Sequence, residues 1–167
     1  FFKERGNRPL GDYQRKARPM SRIISKNIRV RYPDDFIIGD HSIIDDFSYF
    51  STKVKVGRCS HVARGCSIAG GRDRQFSLGD YSSISSGVKI WCTSNDFVND
   101  IVIITPPELS KIKISLKEKL IKGDVSIGDF TGVGANTVIM SDNNIPEGTV
   151  IGSLSFVPPR YKFKPWS

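Results

Sequence analysis

Residues 126–157 read SIGDFTGVGANTVIMSDNNIPEGTVIGSLSFV, and a branched aliphatic residue returns at every sixth position: Ile127, Val133, Ile139, Ile145 and Ile151. The same period runs upstream through Ile38, Ile44, Phe50, Val56, Val62 and Ile68, then through Leu78, Ile84 and Ile90. The next residue is often Gly or Ala, as at Gly39, Gly57, Ala63, Ala69, Gly79, Gly128, Gly134 and Gly152. The fifth hexad position is small or β-branched in most units, as at Ser42, Ser48, Val54, Ser60, Cys66, Ser82, Val88, Thr131 and Thr137. A helix would repeat its apolar residues every 3.6 positions, and an isolated strand would alternate strictly. A period of six does neither. It fits a short strand followed by a tight corner, with one bulky and one small side chain pointing into a narrow interior. Gly or Ala in second place lets the backbone turn without a Cβ clash.

Three such strands close one triangular coil of about 18 residues, and stacked coils bury a continuous apolar column. The register predicts coils at 38–55, 56–77, 78–95, 127–144 and 145–157. Two stretches interrupt it. Residues 70–76 (GGRDRQF) add four residues, read as a short protruding loop. Residues 96–126 form a long insertion with Pro106, Pro107 and a Lys-rich stretch; inserted loops of that length usually carry function or lack order. Residues 1–35 form a basic arm, helical or extended, ahead of the repeat domain at 36–167. Asp142-Asn143-Asn144 reads as a turn. The fold class is therefore all-β, a parallel β-helix of about five coils with an N-terminal arm and one long inserted loop.

The length of 167 residues suits one domain, and 38% hydrophobic against 25% charged residues indicates neither disorder nor a membrane protein. No apolar run approaches the roughly 18 residues of a spanning helix. The absence of an initiator Met suggests trimming from a longer chain. Cys59, Cys66 and Cys92 cannot all pair and show no metal-ligand spacing, which points to a reducing, cytoplasmic setting. The net charge of +8 suits an anionic partner. The positive charge gathers at Lys3, Arg5, Arg8, Arg15, Lys16, Arg18, Arg22, Lys26, Arg29 and Arg31, and at Lys111, Lys113, Lys117, Lys119 and Lys122. No nucleic-acid motif or interleaved aromatic face accompanies it, which leaves a solvated or oligomer-contact surface, or binding of a small molecule's phosphates.

The hexads resemble those of the hexapeptide-repeat acyltransferases, over roughly residues 36–167. The segments IGDHSIIDDFSYFS, HVARGCSIAGG and SSISSGVKIWCTSNDF are most similar to bacterial acetyltransferases acting on sugars of surface polysaccharides. The resemblance implies a left-handed β-helix, although crossover chirality alone would favour the right-handed form. It also implies a cytoplasmic homotrimer, acetyl-CoA as co-substrate, a sugar or nucleotide-sugar acceptor, and no nucleic acid. Lys164-Pro165-Trp166-Ser167 is similar to the point where relatives continue into a Gly-x-Pro-Ala tail, so the CoA site is expected to be incomplete in the given chain.

Acyl transfer requires a bound thioester, a nucleophile relieved of its proton and donors for the oxyanion. In relatives a catalytic His follows the third strand of a central coil, and matching VKIWCTSND to that segment puts Asn95 there. Asn cannot act as a base, though it can orient an acceptor. Of the two histidines, His41 reads as a corner residue, and His61 precedes the segment that carries an active-site Asn in those relatives. An intersubunit site would join His61 of one chain to Asn95 and Asp96 of the next. The competing readings are a solvent-facing imidazole for His61 and an ordinary loop carboxylate for Asp96. The resemblance puts the CoA wall at Gly134, Ala135, Gly152 and Ser153, with Arg160 and Lys162 toward the phosphates. No metal site is expected: a zinc enzyme of carbonic-anhydrase type on this fold needs three histidines. A non-catalytic solenoid scaffold remains the alternative, and it predicts regular, uninterrupted coils.

Overall fold

The structure is a computed structural model that describes residues 21–95 and 120–166. A strand of two or three residues cannot bury a face alone, so each one gains stability only from the strands stacked above and below. Coil one contains β1 (Ile23–Ile24), β2 (Arg29–Val30) and β3 (Phe36–Ile38). Coil two contains β4 (Ile43–Ile44) and β5 (Tyr49–Val56), which runs through two sides of the triangle. Coil three contains β6 (His61–Val62) and β7 (Ser67–Leu78). Coil four contains β8 (Ser83–Ile84), β9 (Lys89–Trp91), the hairpin strands β10 (Thr93–Asn95) and β11 (Leu120–Lys122), and β12 (Val125–Ile127). Coil five contains β13 (Gly132–Val133), β14 (Val138–Ile139) and β15 (Asn143–Ile145), and coil six β16 (Val150–Ile151) and β17 (Phe156–Val157).

Side one of the prism is a parallel six-stranded sheet in the order β1-β4-β6-β8-β13-β16. Sides two and three join through β5 and β7, and every pairing on the three sides is parallel. The chain is thus a parallel β-helix, as the hexads predict, with six coils where five were expected. The additional coil lies within the stretch assigned to the arm. Ile23 and Ile24 pair with Ile43 and Ile44, and Arg29 and Val30 pair with Tyr49 and Phe50. A 3-10 turn at Pro33–Asp35 explains why the period hides this coil. The turn stretches the spacing from Val30 to Ile38 to eight residues and shifts the phase. The predicted turn at 142–144 is also corrected, because Asn143 and Asn144 belong to β15 and pair with Val125 and Ser126. Asn143 occupies an interior position because its amide donates to Met140 O at 2.8 Å and Pro158 O at 2.9 Å.

The hexad leaders form the core: Ile44, Phe50, Val62, Ile68, Ile84, Ile90, Ile139 and Ile145 are fully buried. The small residues that follow in the fifth place have a polar task. Ser42, Ser60 and Ser82 each donate to a carbonyl of the adjacent coil, at 2.6, 2.7 and 2.8 Å. Each in turn accepts the backbone N–H of its counterpart one coil on: Ser60, Ser82 and Thr131. This hydroxyl ladder satisfies backbone groups at a corner that water does not reach. The glycine in second place serves close stacking. A Cβ on Gly128 would fall 2.6 Å from Glu147 N of the next coil.

In the 70–76 stretch the four added residues, Gly70 and 72–74, have no register partner in β5, while Gly71, Gln75 and Phe76 keep theirs. β7 runs through the stretch as a bulged strand whose register against β5 slips after Ala69 and again after Gly71. Cys92 of the next coil lies beside Gly70, Thr93 Oγ1 donates to Gly70 O at 3.0 Å, and β10–β11 rise from that point as an antiparallel pair. Bulge and insertion therefore leave from one edge of the prism, between sides two and three.

Burial pushes the Cys66 thiol up to about 11 and the Cys92 thiol up to about 12, while Cys59 is exposed. The two buried thiols therefore stay protonated and unreactive near neutrality. Iodoacetamide applied to the folded protein should label Cys59 and spare the other two until denaturant is added. Peptide mass spectrometry reads this, and labelling of Cys66 at the rate of Cys59 would contradict the packing.

Candidate active site

His61 opens β6, with Ile43 of β4 and Ser83 of β8 as its register partners. Side chains two apart on a strand face the same way, so Asp45, two residues after Ile43, points to the same outer face. The backbone fixes both positions: His61 N donates to Ser82 O, and Asp45 N to Val62 O, each at 2.9 Å. The side chains meet diagonally across two coils, with His61 Nε2 2.9 Å from Asp45 Oδ2. The imidazole is 37% exposed and the carboxylate 19%. That is enough shelter to hold the pair and enough opening for a reactant to reach the ring. Beyond His61 the row continues through Ser83 and Gly132, and an added Cβ at Gly132 would meet nothing within 4 Å. The surface beside the ring is open, with small side chains for a floor.

Asn95 ends β10 opposite Leu120, at the base of the inserted hairpin. It leaves the edge between sides two and three, whereas His61 lies on side one. Within a single chain the two stand on different faces of the prism. Asp96 lies outside the described residues.

The expected CoA residues fall into two groups. Gly134, Ala135, Gly152 and Ser153 share the edge between sides one and two in coils five and six. Ala135 N donates to Ser153 Oγ at 3.1 Å, and Gly134 N to Ile151 O at 2.8 Å. A side chain at Gly134 would collide with the backbone of Gly152 and Ser153. Coil stacking therefore supplies its own reason for that glycine. Lys162 shares a cavity of about 480 Å³ with Gly152, Thr149, Phe156 and Phe163 at the end of the solenoid. Arg160 lines a neighbouring cavity of about 430 Å³, where its Nε lies 2.6 Å from Asp142 Oδ2. A phosphate would share that guanidinium with a carboxylate.

Asp45 is the functional candidate missed at the level of sequence, yet a signal existed. It fills the second hexad position, where Ala63, Ser85, Gly134 and Gly152 stand in other coils. A carboxylate in a place kept for small residues, one coil less two residues before a histidine, marks a cross-coil pair.

No family model matches the chain. It is 30% identical over 130 residues to the dTDP-4-amino-4,6-dideoxy-D-glucose acyltransferase of Escherichia coli, an alignment spanning 74% of this chain. The chain covers 62% of that relative's length. Its fold matches AntD, an N-acyltransferase from Bacillus cereus, in complex with dTDP and 3-hydroxybutyryl-CoA. The TM-score is 0.73 at 23% identity, over 93% of this chain and 80% of that one. An aspartate-to-alanine variant of AntD, in complex with dTDP and coenzyme A, gives a TM-score of 0.72 at 27% identity, over 83% and 71% of the two chains.

Proposed function

We propose that this chain carries the repeat domain of an acyl-CoA-dependent acyltransferase that acylates the amino group of a dTDP-linked deoxysugar. The observation that carries the proposal is a half-buried imidazole–carboxylate pair, His61 and Asp45, on the open face of a β-helix. Its sequence relative is a dTDP-4-amino-4,6-dideoxy-D-glucose acyltransferase, and its fold neighbour AntD is an N-acyltransferase bound to dTDP and coenzyme A. The amine nitrogen attacks the thioester carbonyl carbon and forms the C–N bond. His61 takes the proton released from nitrogen, the C–S bond breaks, and the proton passes to the departing thiolate, giving amide and free CoA. An amine needs its proton removed only as the bond forms, a lighter demand than a hydroxyl makes. Acetyl is the acyl group proposed, and surface polysaccharide synthesis in the cytoplasm the setting.

The proposed assembly is a homotrimer. In it, Asn95 and Asp96 of one chain orient the acceptor beside His61 of the next, which answers the separation of Asn95 and His61 within one chain. Gly134, Ala135, Gly152 and Ser153 form the proposed wall for pantetheine, with Arg160 and Lys162 toward the phosphates. The alternative of an inert scaffold is less well supported, because a bulge and a long insertion break the coils at one edge.

Calorimetry on the full-length protein tests ligand binding. Coenzyme A and dTDP should each bind, and each should bind in the presence of the other. Absence of heat for coenzyme A would remove the cofactor assignment.

A further inference from the structure

A carboxylate accepts hydrogen bonds and cannot donate them. The 2.9 Å contact between Asp45 Oδ2 and His61 Nε2 therefore requires the hydrogen to sit on Nε2, and a neutral ring then carries its lone pair on Nδ1. The contact is built by register. Ile43 pairs with His61 and Ile44 with Val62, and both partners are tied by backbone bonds to the neighbouring coil. The register neighbours of His61 on either side, Ile43 and Ser83, are uncharged. The adjacent acid, Asp46, turns to the preceding coil and accepts the Asn27 N–H at 3.1 Å.

We propose that Asp45 is a positioning residue that fixes the Nε2–H tautomer of His61, so that Nδ1 is the atom that takes the acceptor's proton. This rests on the reading of His61 as general base given above. When Nδ1 receives the proton the ring becomes imidazolium, and the adjacent Asp45 carboxylate balances that charge. The proton then leaves from Nδ1 to the thiolate, and the pair returns to its starting state. The substitution of a carboxylate at a hexad position otherwise filled by Ala63, Ser85, Gly134 or Gly152 is accounted for by this task.

Nitrogen-15 NMR of the imidazole rings in the full chain reads the tautomer without any turnover. With the ring neutral, His61 should show a protonated Nε2 and an unprotonated Nδ1. Asp45→Ala should move both His61 signals toward the averaged values of a ring exchanging between tautomers, while the exposed corner residue His41 stays unchanged as the internal reference. In kinetics, Asp45→Ala should lower kcat at least about tenfold and at most about 10⁴-fold, the loss seen when the carboxylate that holds a general-base imidazole is removed. KM for acyl-CoA should hardly move. In a His61→Ala background the same substitution should do nothing more, because Asp45 works only through the ring.

A protonated Nδ1 in the unaltered protein, or His61 signals indifferent to Asp45→Ala, overturns the proposal. So does a full Asp45→Ala loss that persists without His61, which would make the carboxylate act on the reactants directly. Normal turnover of His61→Ala with the tautomer still fixed defeats the general-base reading itself, and the catalytic half of the proposal falls with it.

Discussion

Replacing Ile84 by aspartate leaves the protein unfolded. Ile84 leads the first hexad of coil four, has no exposed surface, and pairs on one side with Val62 and on the other with Val133. The interior of the prism at this level is the apolar column of hexad leaders, and among the described residues no buried side chain is cationic and able to meet a carboxylate. An unpaired buried charge costs several kcal/mol even after relaxation, which is comparable to the whole stability of about 5–15 kcal/mol typical of a domain. Ile84→Val removes one methylene and should cost only about 0.5–1.5 kcal/mol. Circular dichroism with a thermal melt separates the two variants. An Ile84→Asp protein that keeps its strand spectrum and melts within a few degrees of the parent would refute the buried column. Val133→Asp, one coil on, should behave in the same way.

The second large effect concerns turnover. His61→Ala should reduce the acyl-transfer rate by about 10²- to 10⁴-fold, the usual range for loss of a general base, with affinity for coenzyme A unchanged. The ring lies on the outer face and contributes nothing to the core, so the variant should fold and melt like the parent. Near-normal turnover would leave the base role to Asp96 or to solvent acting on an amine of low pKa. The pH–rate profile tells those apart, because only in the solvent case does its lower limb follow the identity of the acceptor amine.

The hexads were legible because the interior of a β-helix is narrow enough that every sixth side chain must fill it. Ile38 through Ile90 and Ile127 through Ile151 state that requirement without help from distant contacts. The first coil was not legible, since Ile24 and Val30 hold the period but Pro33–Asp35 break the phase before Ile38. The bulge in β7 was counted correctly as four added residues, yet its course could not be read, because Gly71, Gln75 and Phe76 stay paired to β5 while the four residues between and before them bulge out. Asn143 illustrates a different gap. Nothing in DNN distinguishes a turn from a strand until Pro158 of the next coil appears as its hydrogen-bond partner. At the site, His61 stood out as one of only two histidines. Its partner did not, because a separation of 16 residues becomes a contact only once the coil register is known.

That same register supports the site's chemistry. His61 and Asp45 stand on two rungs of one ladder, each tied by its own backbone bond, so the pair is oriented before any ligand arrives. The central claim is acyl transfer from CoA to the amine of a dTDP-linked sugar. Mass spectrometry of the nucleotide-sugar after incubation of the full-length protein with acetyl-CoA and dTDP-4-amino-4,6-dideoxyglucose tests it most directly. The account predicts an acceptor heavier by one acetyl group, one equivalent of free CoA thiol, and loss of both in His61→Ala. An unmodified acceptor across a panel of amino- and hydroxy-sugar nucleotides, with coenzyme A bound, would contradict it.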